Sequence, residues 1–233
     1  MLLLSVIFFL ATTKSIAIAL SKLKFNSVRT CPYQSLASDA WRGLLLGFHN
    51  DNRRVIATED YGGIPKAKQM NEMAWNCDTE YNLSKMQLEL NSNDTVVYRN
   101  FGVNIGLGEA DLCDFDYMYY VVVNWVRSQN QFPTDLLYNG DPSILQAANA
   151  DKWNSTEMAC AYRSFDNGNS FRLICAYNVK ADVIGQPIYE AGNGTCSEGD
   201  KCGNDGTCVK DLCRVPTTYP GLSRIDGIEP FLC

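Results

Sequence analysis

Histidine is nearly absent from the sequence, and this limits the chemistry that the chain can perform. His49 is the only histidine among 233 residues. Imidazole is the usual zinc ligand and the usual general base near neutral pH. Neither a zinc site of two or three histidines nor a Ser-His-Asp triad with accessory histidines can therefore be assembled. The sequence also has no G-x-S-x-G, H-E-x-x-H or phosphate-binding glycine loop, so it carries no signature of the common hydrolases.

Basic residues are fewer than acidic residues. Lys and Arg total 20 against 26 Asp and Glu, which gives a formal net charge of −6. An acidic chain without a basic stripe argues against nucleic acid and against anionic membranes as partners. The tripeptides RGD and KGD are absent, so an integrin ligand of the disintegrin kind is not supported.

Acidic residues cluster in the segment GEADLCDFD, which contains Glu109, Asp111, Asp114 and Asp116. Two carboxylates without a histidine are sufficient for some glycoside hydrolases. The segment lacks the glycine and the terminal glutamate of a calcium loop. A solvated acidic loop is the favoured interpretation. Because a general base and a nucleophile are both missing, we predict that the protein is not an enzyme.

The chain begins with an apolar run from Leu2 to Ala11, followed by the small-residue pattern Ala17-Ile18-Ala19. This order predicts a secretory signal peptide over residues 1–19. A membrane anchor is the alternative, but Lys14 interrupts the run, which falls short of the ~20 apolar residues that a membrane span requires. We therefore expect a secreted, extracellular protein.

The cysteine count agrees with secretion. An even number of cysteines in a secreted chain predicts disulfides, here five. The gaps in TCSEGDKCGNDGTCVKDLC are five, five and four residues, which do not suit paired zinc ligands. The ten cysteines are Cys31, Cys77, Cys113, Cys160, Cys175, Cys196, Cys202, Cys208, Cys213 and Cys233. Four N-x-[ST] sequons further predict N-glycosylation at two or three of Asn82, Asn93, Asn154 and Asn193.

The periodicity of apolar residues predicts a helix near the start of the mature chain. Its apolar positions are Ala37, Trp41, Leu44, Leu45 and Phe48, whose spacing places them on one helix face. His49 lies at the edge of this stripe, four residues after Leu45. A lone histidine in that position is more often a hydrogen-bonded core residue than a ligand or a base.

Other elements can be predicted from local signals. Asn76 is a candidate N-cap for a helix of about three turns, with Asp78 and Glu80 in its first turn. The segment DYMYYVVVNWVRSQ suits a strand or a helix, and its spacing favours a helix. ACAYR and SFRLICAY flank the turn quartet DNGN and predict an antiparallel hairpin, which would bring Cys160 close to Cys175. From Gly185 on, few large apolar residues remain, which predicts a small module held together by disulfides.

The order of several segments resembles the CAP superfamily of secreted proteins. These segments are the helix with HNDNRR, PKAKQMNEMAWNCDTE, FGVNIG, the helix with NWVRS, DKWNST, the ACAY and LICAY strands, and GQPIYEAGNGTC. The segments PKAKQM and GQPIYEAGNGTC are similar to the corresponding sequences of the Ancylostoma-secreted, venom-allergen-like proteins of parasitic nematodes. The resemblance implies an α+β fold, a three-layer α-β-α sandwich over residues 20–185, followed by a cysteine-rich, hinge-like tail over residues 186–233.

The resemblance also allows a prediction about metal binding, because many CAP proteins hold a divalent metal with two histidines and two glutamates in a cleft. The corresponding positions in this chain are Asn100, Val103, Ser128 and Ala147, none of which carries an imidazole or a carboxylate. We therefore expect a degenerate tetrad, with no metal and no cofactor.

For function, the resemblance implies a secreted, non-enzymatic nematode effector that binds a host extracellular protein of the receptor or integrin class and modulates immunity or haemostasis. The alternative is an extracellular sterol or fatty-acid binding protein, since some relatives bind lipids in apolar clefts. In FPTDLLY, the side chains of Phe132, Leu136, Leu137 and Tyr138 could contact such a lipid, although packing in the core is the favoured interpretation of this segment.

Overall fold

The computed structural model describes residue 31 and residues 39–59, 63–91, 94–109, 115–194, 196–203 and 205–217. The predicted signal peptide, Ala37, Cys113 and Cys233 lie outside these ranges. In chain order the helices are α1 (Asp39–Thr58), α2 (Cys77–Glu89), α3 (Phe115–Val126) and α4 (Leu145–Asp151). The strands are β1 (Ala74–Trp75), β2 (Gly102–Glu109), β3 (Glu157–Phe165), β4 (Ser170–Tyr177), β5 (Lys201–Cys202), β6 (Gly206–Val209) and β7 (Leu212–Arg214).

Four strands form the main sheet in the order β1-β3-β4-β2. Strand β1 is parallel to β3, and the other neighbours are antiparallel. The predicted hairpin is confirmed as β3 and β4, whose turn includes Asn167 at a φ of 57° and Gly168 at a φ of 96°. Asn and Gly adopt this left-handed region at low cost. The register pairs Cys160 with Cys175, and the two form a disulfide.

Helices cover both faces of this sheet. Alternate residues of a strand point to opposite faces. On β4, Leu173 and Cys175 belong to a core cluster with Trp41 of α1 and Trp125 of α3. The intervening residues Ile174 and Ala176 belong to a different cluster, which contains Leu83 of α2. A further cluster joins α1 and α4 to the chain around residues 132–138 and 188–189.

The predicted helices are confirmed. Trp41 and Leu45 of α1 are buried in the core, whereas Leu44 and Phe48 are only half-buried. Helix α2 begins after Asn76, whose side chain accepts a hydrogen bond from the Thr79 backbone N–H at 2.9 Å. The segment that suited a strand or a helix is α3, because a helix places Met118, Val122 and Trp125 on one buried face.

Replacing the cap residue tests the start of α2. In Asn76→Ala, the free energy of unfolding should fall by about 1 kcal/mol, because the Thr79 N–H loses its acceptor. Asn76→Ser is the control, since a serine hydroxyl accepts the same hydrogen bond, and both variants lose the bond that Asn76 Nδ2 donates to Glu157. Urea denaturation measures both changes, and equal losses in the two variants would contradict the capping role.

The tail is a second sheet that is fastened to the main body. It has the strand order β5-β6-β7 and the disulfides Cys196–Cys208 and Cys202–Cys213. Arg214 forms an ion pair with Glu72, and the backbone N–H of Cys213 donates to Met70 O at 2.9 Å. A further disulfide links Cys31 to Cys77, the first residue of α2. In the part of the chain that the structure describes, every cysteine is in a disulfide, and no helix could cross a membrane.

Candidate functional site

His49 lies in the core with both ring nitrogens engaged. Only 1% of its surface is exposed. Nδ1 is 2.7 Å from Leu45 O, and Nε2 is 2.8 Å from the Tyr177 hydroxyl. Because a carbonyl only accepts, Nδ1 must carry the proton, and Nε2 then accepts from Tyr177. The prediction of a hydrogen-bonded core histidine is confirmed.

The surroundings of His49 keep its ring neutral. The pKa of His49 is lowered to about 4, chiefly by burial and also by the positive charge of Arg53, against the opposing effect of the hydrogen bond to Leu45. Burial in turn raises the pKa of Tyr177 well above its ordinary value. The only imidazole of the chain is therefore uncharged near neutral pH and has no nitrogen lone pair open to solvent.

A chain of hydrogen bonds runs from His49 across the sheet. Asn104 on β2 donates to the Tyr177 hydroxyl at 3.2 Å, and Asn149 on α4 donates to Asn104 Oδ1 at 3.2 Å. Asn149 Oδ1 accepts from the Ala181 N–H at 3.1 Å. The amides of Asn104 and Asn149 thus both have partners, as buried polar groups usually do. Gly102 is needed here, because a Cβ at that position would lie 2.6 Å from Asn149 Oδ1.

A small cavity lies at the end of this network, and we name it the Val103 cavity. Its volume is about 150 Å³. The described residues that line it are Val96, Val97, Tyr98, Phe101, Gly102, Val103, Leu145, Asn149, Lys180 and Asp182. Drug-sized ligands usually occupy pockets of roughly 300–1,000 Å³. The Val103 cavity is smaller and suits one or two side chains.

The structure brings only one of the four tetrad positions to this cavity. Val103 lines it, whereas Asn100 is exposed in the preceding turn and Ser128 is half-buried after α3. Ala147 is completely buried on α4. Within the described ranges, no three His, Cys, Asp or Glu side chains come together as a candidate metal site.

A larger groove lies between α1 and α3, and we name it the helix groove. Its volume is about 480 Å³. The described residues that line it are Gly43, Leu44, Gly47, Phe48, Asp51, Asn52, Val55, Tyr119, Val123 and Val126. A Cβ at Gly47 would meet no atom within 4 Å, so the groove is open there. Gly43 and Gly47 lie four residues apart and leave this side of α1 without side chains, a sequence signal for the groove that the sequence analysis did not use.

The residues predicted to contact lipid lie elsewhere. Leu136 and Tyr138 are buried in the cluster between α1 and α4, and Phe132 packs against that cluster. Leu137 is half-buried and forms a bridge with Pro187. None of the four is among the residues that line the two cavities. The lipid contact of these residues therefore stays a prediction.

Two charged residues near His49 in the sequence or in the core, Arg53 and Asp151, are fully buried. Arg53 has no exposed surface and donates to five backbone carbonyls. Asp151 is also fully buried and accepts from Gln129 Nε2 at 2.6 Å and Asn52 Nδ2 at 2.7 Å. Burial raises the pKa of Asp151 to about 7, although the hydrogen bond from Gln129 and the charge of Arg53 oppose the rise.

The remaining predicted sites lie on the surface or outside the described residues. Asn193 is exposed, and Asn82 and Asn154 are half-buried. Asn93, Asp111 and Asp114 are outside the described residues. Glu109 is exposed at the end of β2, and Asp116 belongs to α3.

Known proteins give independent information on the fold. No family model matches the sequence. Scoloptoxin SSD976 of Scolopendra dehaani is 24% identical over 177 residues, which cover 71% of this chain and 82% of the scoloptoxin. The sequence is thus only distantly similar to a curated protein.

The fold of the chain is more clearly similar to known proteins than its sequence is. Na-ASP-1 superposes with a TM-score of 0.67 at 22% identity, covering 82% of this chain and 49% of Na-ASP-1, so the chain spans about half the length of that protein. The hookworm platelet inhibitor superposes with a TM-score of 0.62 at 20% identity, covering 78% of this chain and 94% of the inhibitor. The mixed helix and sheet structure therefore has the fold of these CAP proteins.

Proposed function

We propose that the protein is a secreted, non-enzymatic CAP protein, a nematode effector that binds a host extracellular protein at the rim of the Val103 cavity. The fold shared with the ancylostoma-secreted proteins supports the family, and the disulfides support secretion. The likeness to a protein described as a hookworm platelet inhibitor supports a target in haemostasis. A target in immunity and a receptor of the integrin class follow only from the resemblance of the sequence to the family.

The absence of enzymatic activity is inferred from His49. A general base must reach the proton that it abstracts. His49 is buried, and both of its nitrogens are occupied by Leu45 and Tyr177. Since no other histidine exists in the sequence, imidazole catalysis has no candidate residue.

The exposed aliphatic side chains at the cavity rim carry the proposal of a protein partner. Val97, which lines the cavity, is 71% exposed. Val183 and Ile184 follow the lining residue Asp182 directly, and they are 54% and 71% exposed. Apolar side chains that remain in water around a concave site are typical of a surface that a protein partner covers. The cavity itself could accept one side chain of that partner.

Substitutions at the rim test this surface. Val97→Asp and Val183→Asp should each reduce capture of partner protein at least about tenfold, because each replaces an apolar contact with a carboxylate that must lose its hydration when the partner covers it. Leu88→Asp is the matched control, since Leu88 is 62% exposed on α2 and does not line the cavity. The purified glycoproteins are immobilised and incubated with leukocyte extract, platelet extract and plasma. If the rim variants retain the same proteins as wild type, the proposed surface is wrong.

The helix groove favours a second candidate function, the binding of a sterol or a fatty-acid-like lipid. Its volume of about 480 Å³ lies within the usual range for ligand pockets, and most of its lining is apolar. This site replaces the FPTDLLY segment as the proposed place of contact, because Leu136 and Tyr138 are already buried against other core residues.

Filling the groove tests lipid binding. Gly47→Leu should abolish retention of radiolabelled cholesterol or palmitate, because the new side chain enters open space in the groove. Leucine is a better helix former than glycine by about 0.5–1 kcal/mol, so loss of binding would not reflect unfolding. Wild-type protein that retains neither lipid would rule out this second function.

A further inference from the structure

We propose that the C-terminal segment, residues 218–233, crosses the outer face of α1 and covers the helix groove, and that a disulfide between Cys113 and Cys233 fastens it there. Neither function proposed above is needed for this arrangement, because the occupant of the groove belongs to the chain itself. A lipid would reach the groove only after the segment had left it.

The disulfides of the described residues leave two cysteines of the chain. Four disulfides join eight of the ten cysteines to one another. Cys113 and Cys233 therefore have only each other as partners within one chain, and the thiols of a secreted protein are usually oxidised to disulfides. Cys113 precedes Phe115, the first residue of α3, by two positions. A bond between the two cysteines thus brings the end of the chain to the helix that forms one wall of the groove.

The described part of the tail is directed towards the first half of α1. Arg53 of α1 donates to Asn71 O at 2.9 Å. Asn50, about one turn earlier, donates to Met73 O at 2.9 Å, so the chain from 71 to 73 runs antiparallel to α1. Cys213 of β7 forms a parallel bridge with Asn71, so β7 runs in the same direction as that chain. The backbone that leaves β7 therefore runs towards the start of α1.

The tail and α3 contact opposite flanks of α1. Arg54 donates to Lys210 O in the tail at 2.8 Å, and Phe48 packs edge-on against Tyr119 of α3 with 5.7 Å between the ring centroids. At about 100° per residue, Arg54 and Phe48 are about 120° apart around the helix, and Gly47 lies between them. A Cβ at Gly47 would meet no atom within 4 Å, so this face is open. The opposite face of α1 is packed in the core, and a chain that passes from the tail to α3 therefore crosses the groove.

The segment is long enough and apolar enough to fill the groove. From Thr217 to Cys233 the chain advances 16 residues, which can span up to about 50 Å, whereas packed helices lie only about 8–10 Å apart. A polyproline II conformation has three residues per turn, so it would place every third side chain of the segment on one side. These positions are all large and apolar, namely Tyr219, Leu222, Ile225, Ile228 and Phe231. The groove has a mostly apolar lining and a volume of about 480 Å³, which suits several such side chains.

Photo-crosslinking of the full-length protein tests where the segment lies. Asp51 lines the groove and its side chain is 69% exposed, so a photoreactive benzoylphenylalanine in its place leaves the core intact. Irradiation should join position 51 to a peptide from residues 218–233. Leu88 is the matched control, because it is 62% exposed on α2, which packs on the other face of the sheet, and the same replacement there should give no such product.

Peptide mapping without reduction, after alkylation of free thiols, tests the disulfide in the same protein. It should recover Cys113 and Cys233 as one linked pair within a single chain. If Cys233 is alkylated, or is linked to a second copy of the chain, the fastening disulfide is wrong. If the pair is found but position 51 reacts with residues 218–233 no more than position 88 does, the segment takes another course and the groove is not covered.

Discussion

Arg53→Met should lower the free energy of unfolding by about 3–5 kcal/mol, which is a large part of the stability of an ordinary domain. The Arg53 side chain is completely buried in the second half of α1. Its guanidinium donates to five backbone carbonyls at 2.8–3.3 Å, those of Asn71, Ala150, Lys152, Trp153 and Ser155. Methionine replaces the aliphatic part of the side chain and has no donors, so these carbonyls would lose their partners inside the protein.

The size of the expected loss follows from the free energy that each buried carbonyl costs when it has no hydrogen-bond partner. A buried acceptor without a partner costs about 1–3 kcal/mol, and partial relaxation reduces the sum for a group of five. The five bonds attach α1 to residue 71, to the end of α4 and to the segment that connects α4 to β3. Arg53 therefore fixes the position of the helix that carries His49 and most of the helix groove.

Arg54→Met is the control, because Arg54 is the next residue of the same helix and is partly exposed. Its ion pair with Asp51 lies at the surface, and the variant should lose no more than about 1 kcal/mol. Urea denaturation of both variants gives the comparison. Similar losses at the two positions would contradict the role assigned to the buried guanidinium.

The second large effect is a change in the pH dependence of stability in Asp151→Asn. The pKa of Asp151 is raised from 3.8 to about 7 by burial. As pH rises through this window, the unfolded chain gives up its proton and the folded protein keeps it, so Asp151 makes the protein less stable. Its favourable contribution is complete below pH 3.8 and is lost as the pH approaches about 7.

His49 acts in the opposite direction. Its pKa is lowered from 6.5 to about 4, chiefly by burial. The stability that depends on the neutral ring is present above pH 6.5 and is lost as the pH falls towards about 4. Between these limits the two groups nearly cancel, so wild-type stability should change little with pH.

Asp151→Asn removes one of the two opposing groups. Its free energy of unfolding should then rise with pH from about 4 to 6.5, by on the order of 3 kcal/mol. The slope is the diagnostic quantity, because the amide also changes the hydrogen bonds to Gln129 and Asn52 at every pH. Urea midpoints measured at several pH values give the slope. If the free energy of unfolding of Asp151→Asn depends as little on pH as that of wild type, Asp151 and His49 do not make opposing contributions.

Much of the fold could be predicted from the sequence, because the relevant signals are local. The apolar spacing of α1, the Asn76 cap and the hairpin around DNGN each depend on a few neighbouring residues. The burial of His49 could be predicted for the same reason, since the apolar stripe of α1 continues to it. The proximity of Cys160 and Cys175 followed from the hairpin alone.

The sites could not be predicted in the same way, because residues from distant segments form them. The helix groove needs Gly47 of α1 opposite Tyr119 of α3, and the Val103 cavity needs β2 beside α4 and Lys180. Arg53 and Asp151 are charged, and charged residues are almost never fully buried unless they are paired or hydrogen-bonded. Their burial depends on carbonyl and amide partners that the sequence does not mark.

The only imidazole of this protein, that of His49, is part of the core, and we propose that it takes no part in chemistry or metal binding. Because the sequence has one histidine, ¹⁵N NMR of histidine-labelled protein gives a single pair of ring signals. The ring should be neutral with the proton on Nδ1, should not titrate from pH 5.5 to 8, and should not change when zinc is added. A titration midpoint near 6.5, or a zinc-dependent shift of Nε2, would contradict this proposal.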